Sequence, residues 1–288
     1  MLKFLKNWTL PLAMFAGAIG YFLLANVTIL EPAKPFVNWL IAVLTPFLIF
    51  AQLLLTFCKI EPKELLPKAW HVWLLSIQAV SSGIIALLLI FCPMEEAYRD
   101  IFEGAMVCLI CPTATAAAVI TGKLGGSAST LTTYTLLSNV LAAIAVPLVF
   151  PLVEPHADIT FVVAFLKILS KVFPLLLAPF FIALLFRYYI PSVHRLLSKY
   201  HGVAFYLWAV ALTIVTGQTV RSLVTAAADV SIEIMIALAG LATCCLQFYF
   251  GKRIGSAYHD RISAGQALGQ KNTVLAIWMA VSYLNPLS

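Results

Sequence analysis

Long apolar runs separated by short charged segments dominate this chain. Residues 35–58 and 69–94 contain no Asp, Glu, Lys or Arg, and similar runs follow further along. Because an apolar run of about 20 residues can cross a membrane as a helix, each run predicts one span. We predict nine spans, at residues 7–29, 36–58, 69–91, 101–121, 127–151, 160–187, 202–222, 230–251 and 261–284.

The composition agrees with this pattern and narrows the class of protein. Of 288 residues, 62% are hydrophobic and 10% are charged, whereas a soluble domain carries about 25% charged residues. We therefore predict an all-α polytopic membrane protein that has the lipid bilayer as a partner. The six cysteines lack paired metal-ligand spacing, and no nucleophile elbow, phosphate-binding loop or carboxylate pair occurs. The pattern favours neither an enzyme nor a bound cofactor.

The charged residues between the spans predict the orientation in the membrane. With a cytoplasmic N-terminus, the inner segments hold twelve Lys or Arg residues and the outer segments hold three. Because basic residues concentrate in cytoplasmic loops, we predict a cytoplasmic N-terminus in a cell membrane, here a bacterial inner membrane. No basic cluster is interleaved with aromatic residues, so we expect no nucleic-acid partner.

Helix-breaking residues interrupt the fourth predicted span. Pro112 lies in its middle, where a proline removes one backbone donor and frees carbonyl groups of the preceding turn. Thr113 and Thr115 follow at once and could supply hydroxyl groups to such a site. An ordinary proline kink is the alternative explanation of this segment.

The ninth predicted span is also interrupted, with Gly265 and Gly269 as the predicted break. Large polar side chains cluster there: Gln266, Gln270, Lys271 and Asn272. A lysine near the middle of a bilayer costs roughly 2.5–3.5 kcal/mol, so Lys271 should face a polar cavity or the interior of the helix bundle. The alternatives are that Lys271 snorkels or pairs with a neighbour, and that the other side chains only bond adjacent helices.

Polar residues in the fifth and sixth spans are further candidates. Thr132, Thr135 and Asn139 could bind an ion or a substrate, or they could hydrogen-bond carbonyls of their own helix. In the sixth span, Lys171 lies roughly 16 Å along the helix from the outer end. It could give an outer cleft a positive wall suited to anions.

An inverted repeat would relate the two interrupted spans. If residues 1–151 form one unit of five spans, residues 152–288 form a second unit that begins on the opposite side of the membrane. The fourth span of the first unit then corresponds to the ninth span, the fourth of the second unit. Paired interruptions of this kind point to a midplane binding site. A second unit of five requires a tenth span, which we expect to be missing from the present chain; the alternative is a protein that works with nine spans.

Several stretches match the motifs of one transporter family. Cys111-Pro112 matches the start of a Cys-Pro-Gly-Gly…Ser-Asn signature, and residues 271–276, Lys-Asn-Thr-Val-Leu-Ala, are similar to Gln-Asn…Leu-Ala. Gln78 falls where a sodium-ligating glutamine is common, and residues 47–65 are similar to the second helix and first inner loop. On these grounds the chain resembles bacterial members of the bile acid:sodium symporter family. The resemblance covers the chain from about the second span to the ninth.

The resemblance implies a particular architecture and activity. Members have ten helices, arranged as a panel domain (helices 1, 2, 6 and 7) and a core domain (helices 3–5 and 8–10). Helices 4 and 9 are unwound and cross in the core, and the substrate binds in the cleft between the domains. The family moves organic anions, bile acids among them, together with two sodium ions.

The chain departs from the family motifs at positions that ligate the coupling ion, sodium, in the family. The Ser-Asn of the signature falls on Ala117 and Ala118, the ninth-helix glutamate on Ala267, and the following glutamine on Lys271. Sodium binds hard oxygen ligands, and the anionic one is absent here. A bound sodium is therefore uncertain, and Lys271 is expected to replace a bound cation beside Gln78. Lys271 could instead change its protonation state and couple transport to protons.

These features together predict a secondary transporter of organic anions that works by alternating access. The substrate could be a bile-acid-like molecule or a small carboxylate. One alternative is a cation/proton antiporter of related fold, and another is a membrane sensor that transports nothing. The substrate, the coupling ion, the direction of transport and the oligomeric state stay open at this point.

Overall fold

The computed structural model describes residues 8–59, 61–155, 159–199, 203–225 and 230–284. These residues are predominantly helical and contain no β-strand, as predicted. The helices are α1 (Thr9–Asn26), α2 (Lys34–Cys58), α3 (Ala69–Phe91), α4 (Glu96–Ile110), α5 (Ala117–Lys123), α6 (Ala128–Val153), α7 (Phe161–Tyr189), α8 (Pro191–Lys199), α9 (Val203–Thr225), α10 (Val230–Ala257), α11 (Arg261–Gly269) and α12 (Thr273–Tyr283).

Seven of these helices are long and apolar enough to cross a membrane. They are α1, α2, α3, α6, α7, α9 and α10, and each coincides with one predicted span. The fourth and ninth predicted spans are each divided into two shorter helices, α4 with α5 and α11 with α12. The two interruptions that the sequence predicted are therefore real breaks in the helical backbone.

One of the two glycines predicted to break the ninth span does not lie at the break. Gly265 lies inside α11, which runs on to Gly269, so the prediction that Gly265 breaks the helix is wrong. Gly265 serves close packing instead, because a Cβ atom there would come within 2.7 Å of the Lys252 side chain of α10. The break itself consists of residues 270–272.

A short helix that the sequence did not predict connects α7 to the segment before α9. It is α8, and it packs against the end of α2, where the Ser198 hydroxyl donates a 2.9 Å hydrogen bond to the Cys58 carbonyl. Its nine residues are too few to cross a membrane. A search for long apolar runs therefore passes over it.

The helix contacts divide the molecule into two groups. The first group contains α1, α2, α7, α8 and α9, and the second contains α3 to α6 together with α10 and α11. The groups meet in an extensive contact of α7 with α6, and α12 contacts both groups, touching α2 and α9 of the first and α4 of the second. The broken helix α4–α5 and the first half of the other broken helix, α11, belong to the second group.

Glycines allow close contact within each group. On α10, Gly251 and Gly255 lie one turn apart, and a Cβ at either would come within 2.6 Å of Ala264 on α11. On α1, Gly17 lies directly against the backbone of α9 at Thr213 and Gly217. Small residues spaced four apart are a common way for membrane helices to bring their backbones together.

Charged contacts mark the two ends of the helix bundle. We define the basic end as the end where α2 finishes and α3 begins, at which Lys68 pairs with Asp260 at 3.0 Å and Arg187 with Glu61 at 3.6 Å. We define the acidic end as the end where α3 finishes and α4 begins. There Arg99 pairs with Glu154 at 3.2 Å.

Candidate functional site

The two helix breaks are joined to each other through their backbones. The amide of Ala114 donates to the carbonyl of Gln270, and the amide of Asn272 donates to the carbonyl of Pro112, both at 2.9 Å. These bonds make a short antiparallel bridge in which Thr113 faces Lys271. In a membrane, irregular backbone needs internal partners of this kind.

Local sequence explains why each helix stops where it does. Cys111 precedes Pro112 and has a ψ angle of 140°, since a residue before proline is forced out of the helical region. After the second break, the Asn272 side chain accepts a 3.2 Å hydrogen bond from the Leu275 amide. Asn272 is thus the N-cap of α12, which is a favoured position for asparagine.

The final turn of α4 leaves carbonyl groups without helical partners, and side chains from other helices supply donors to them. Lys271 Nζ lies 3.2 Å from the Leu109 carbonyl oxygen. The Gln78 amide of α3 donates to the next two carbonyls, of Ile110 at 2.9 Å and of Cys111 at 3.2 Å. Gln247 of α10 reaches the preceding carbonyl, that of Cys108, at 3.4 Å. The four successive carbonyl oxygens of residues 108–111 therefore accept hydrogen bonds from side chains of α3, of α10 and of the second break.

The end of α4 offsets part of the cost of burying the positive charge of Lys271. The C-terminal end of a helix carries a partial negative charge, which stabilises a cation placed there. Lys271 is partly buried beside that end and spans the gap between the two breaks. The ammonium group and the amide of Gln78 meet successive carbonyls of α4, Lys271 that of Leu109 and Gln78 those of Ile110 and Cys111.

Gln78 also links this site to α6. Its oxygen accepts a 3.1 Å hydrogen bond from the Tyr134 hydroxyl, and both side chains are buried. Gln78 therefore has partners for its oxygen and for its nitrogen. A side chain held at both ends has a fixed orientation, so the amide donors stay directed at the carbonyls.

Thr113 holds the two breaks together through its side chain. Its hydroxyl donates a 2.6 Å hydrogen bond to the Ala267 carbonyl of α11, and its amide donates to the Ser138 hydroxyl at 3.2 Å. Thr113 is fully buried. Its role among the described residues is thus to connect α4–α5, α6 and α11, and its hydroxyl is already engaged.

Some predicted residues are buried with polar atoms that have no partner. Asn139 on α6 is fully buried, and neither its side-chain oxygen nor its nitrogen is hydrogen-bonded to a described residue. The side-chain oxygens of Gln266 and Gln270 are likewise unpartnered. Buried polar groups without partners are uncommon, so these three side chains are suited to receive water or a ligand.

The other predicted site residues on α6 and α7 are Thr132, Thr135 and Lys171, and they do not belong to this set of unpartnered buried side chains. Thr132 and Thr135 donate to carbonyls of their own helix, those of Ala128 at 2.7 Å and Leu131 at 3.0 Å, which was one of the two readings of the sequence. Lys171 is exposed on α7 and is not part of the cavity described next.

A cavity of about 660 Å³ opens at the basic end, between the two helix groups. One wall consists of the ends of α2 and α9 and includes Lys59 and Trp208, and the other consists of α5 and the first turns of α6. Two predicted site residues, Thr115 and Thr132, line it, as does Ala118. Its volume is within the range of about 300–1,000 Å³ that holds a small organic molecule.

Three further side chains hydrogen-bond residues of the first break or their partners: Tyr134, Ser138 and Gln247. Ser138 belongs to the hydroxyl-rich stretch of the fifth span that the sequence indicated, whereas Tyr134 and Gln247 were not found from the sequence. Gln247 is the sole large amide in an otherwise apolar stretch of α10, and that isolation was a usable signal. Tyr134 had no distinguishing signal among the ten tyrosines of the chain.

Within the described residues, no group of three His, Cys, Asp or Glu side chains could hold a metal ion. The oxygen atoms around the breaks that could ligate an ion belong to carbonyl, hydroxyl and amide groups. Oxygen ligands of this kind suit an alkali cation better than a transition metal.

The arrangement of long apolar helices defines an α-helical, multi-pass membrane protein. No protein-family model matches this chain, and no curated protein matches it at a significant level. Any assignment to a more specific class of membrane protein therefore has to be argued from the residues of the site.

Proposed function

We propose that this protein is a secondary transporter of organic anions that resembles the bile acid:sodium symporters, with Lys271 in place of a bound cation. The observation that carries the proposal is the contact between the Lys271 ammonium group and the Leu109 carbonyl at the broken end of α4. A cation at this position would meet the same carbonyl oxygens. The fixed charge of Lys271 stands in for it.

The two helix groups support alternating access. In the proposal the first group, with spans 1, 2, 6 and 7, is the panel, and the second group, with spans 3 to 5, 8 and the first half of 9, is the core, to which α12 also belongs. In the proposal α4–α5 and α11–α12 are equivalent members of inverted repeats and cross at their breaks. The cavity between the groups is then the substrate pathway, open toward the cytoplasm if the basic end is cytoplasmic.

The lining of the cavity supports an anionic substrate with an apolar body. Lys59 and Lys123 supply positive charge against the single carboxylate of Glu64, while Phe205 and Trp208 supply aromatic surface. An aromatic and aliphatic wall with a few charged groups is the usual construction of a site for an organic molecule. The volume of about 660 Å³ accommodates either a steroid carboxylate or a small one.

The test is the thermal stability of the detergent-purified protein in sodium chloride and in choline chloride. If Lys271 replaces a cation, sodium does not raise the melting temperature of the wild type. Lys271→Gln removes the charge and keeps a hydrogen-bonding group, so sodium should raise the melting temperature of this variant by a few degrees. Ligand binding stabilises a folded state in proportion to the logarithm of ligand concentration over Kd.

Lys167→Gln is the matched control, because Lys167 is an exposed lysine on a membrane helix remote from the breaks. It should show the wild-type response. A sodium-specific increase in the wild type would mean that a cation site persists beside Lys271 and would contradict the substitution. Uptake of cholate and of lactate into proteoliposomes, with and without a pH gradient, tests transport separately.

Two other functions stay as alternatives. A cation/proton antiporter requires titratable acids close to the breaks, and uptake assays that show proton-driven cation exchange without anion movement would favour it. A sensor would bind a ligand in the cavity without moving it across the membrane.

A further inference from the structure

A cluster of charged side chains lies at the acidic end, apart from the helix breaks. Its centre is Glu103 of α4, whose side chain is completely buried. Arg99 lies one turn earlier on the same helix, and Glu154 follows the last residue of α6. The structure therefore places two carboxyl groups around one guanidinium group.

The hydrogen bonds that Arg99 donates go to partners other than Glu103, with which it forms only an ion pair. Its Nε donates a 3.2 Å hydrogen bond to Glu154 Oε1, and its terminal nitrogens donate to the carbonyls of Leu89 and Val153. Arg99 thereby fastens the end of α3 to the end of α6. Glu103 Oε1 is also 3.2 Å from Arg99 Nε, but the single hydrogen on this nitrogen is directed at Glu154.

Both oxygens of Glu103 are consequently left without a hydrogen-bond donor among the described residues. The neighbouring group is the carboxyl of Glu154, because Oε1 of each glutamate lies 3.2 Å from the same Arg99 Nε. Two ionised carboxylates are both acceptors and cannot bond each other. A single proton shared between them changes one into a donor and satisfies the pair.

The charges around Glu103 also favour a proton shared between the two carboxyl groups. The charged groups that face Glu103 are Arg99 and Asp100 of its own helix and Glu154 after α6. Of the other helices packed on α4, α10 brings Glu233 in its first turn, while α3 and α12 bring no charged group to this end. With acids outnumbering the one arginine, a completely buried carboxylate would be under-compensated.

We propose that Glu103 and Glu154 form a proton-binding site at the acidic end, in which one proton is shared between the two carboxyl groups. The site is independent of what the cavity at the basic end binds. Glu103 lies on the same helix as Leu109, whose carbonyl Lys271 contacts, and the two residues are six apart, or about 9 Å along α4.

The direct test is infrared spectroscopy of the purified full-length protein at neutral pH. The wild type should show the C=O stretching band of a protonated carboxylic acid, which shifts in D₂O. Glu103→Gln removes the acid and should abolish this band. Glu154→Gln should abolish it as well, because the new amide can donate to Glu103 and let it ionise beside Arg99. Glu233→Gln, an acid on the neighbouring helix, should leave the band in place.

Thermal stability against pH gives a second measurement. A folded state that holds one more proton than the unfolded chain loses stability as pH rises above the ordinary pKa of glutamate, about 4.3. The melting temperature of the wild type should therefore fall between about pH 5 and about pH 8, and that of Glu103→Gln should fall less. A wild type without the acid band, or a band and a pH profile that both survive Glu103→Gln, would overturn the proposal.

Discussion

The hydroxyl of Thr113 donates a 2.6 Å hydrogen bond to the carbonyl oxygen of Ala267 and so connects the two interrupted helices. The Ala267 carbonyl belongs to the last turn of α11, where helical carbonyls lack intrahelical partners. One short side chain therefore satisfies an otherwise unpaired acceptor of another helix. This side-chain bond adds to the two backbone bonds that already join the breaks.

Replacement of Thr113 by valine should destabilise the protein. The change keeps the shape of the side chain and removes its hydroxyl, so the Ala267 carbonyl stays buried without that donor. We expect a loss of about 1–3 kcal/mol of unfolding free energy, the usual cost of a buried polar group without a partner. Unfolding in mixed detergent, followed by circular dichroism, measures it.

Thr135→Val is the matched control for this experiment. Thr135 is also buried, but its hydroxyl bonds the Leu131 carbonyl of its own helix, which is a helical acceptor in any case. We expect a change within about 0.5 kcal/mol. Equal losses in both variants would show that the link between the breaks contributes nothing particular.

The close contact between α10 and α11 predicts strong effects at its glycines. Gly251→Ala would place a Cβ atom 2.6 Å from the Ala264 carbonyl oxygen, so the helices must separate. Overpacking of this kind costs typically about 1–3 kcal/mol. Gly240→Ala on the same helix meets no atom within 4 Å and should be neutral or stabilising. The ratio of folded to unfolded protein in a detergent titration distinguishes the two variants.

The cavity at the basic end predicts a difference between two adjacent positions of α5. Ala118 lines the cavity, whereas Ala117 is completely buried. In a variant without native cysteines, Ala118→Cys should react with a water-soluble thiol reagent many times faster than Ala117→Cys. With the proposed orientation, in which the basic end is cytoplasmic, the reaction requires access from that side, which inside-out vesicles provide. Equal rates, or labelling only from the opposite side, would contradict the position or orientation of the cavity.

Much of the fold follows from the sequence because the membrane imposes it. An apolar run long enough to span a bilayer has few alternatives to a helix, so the seven long helices match the predicted spans. The break at Pro112 was also predictable, since proline restricts its own residue and the one before it. The helix α8 was not predicted, because it is too short for the length criterion.

The partners within the site could not be read from the sequence in the same way. Gln78 was expected beside a cation, and the structure shows its amide donating to two carbonyls and accepting from Tyr134. Which acceptor a glutamine meets depends on the packing of several helices, and no spacing rule encodes it. The same limit applies to Gly265, where composition indicated a break and tertiary packing against Lys252 gives the actual reason for glycine.

The bridge between the two breaks has a consequence for how such a protein can change during evolution. The bonds that join Ala114 to Gln270 and Asn272 to Pro112 use main-chain atoms alone. Substitutions at the neighbouring positions therefore leave the scaffold in register while they replace the chemistry it presents. In the proposed function, the replacement of a bound ion by the Lys271 ammonium group therefore requires changes of side chains only, while these backbone bonds stay as they are.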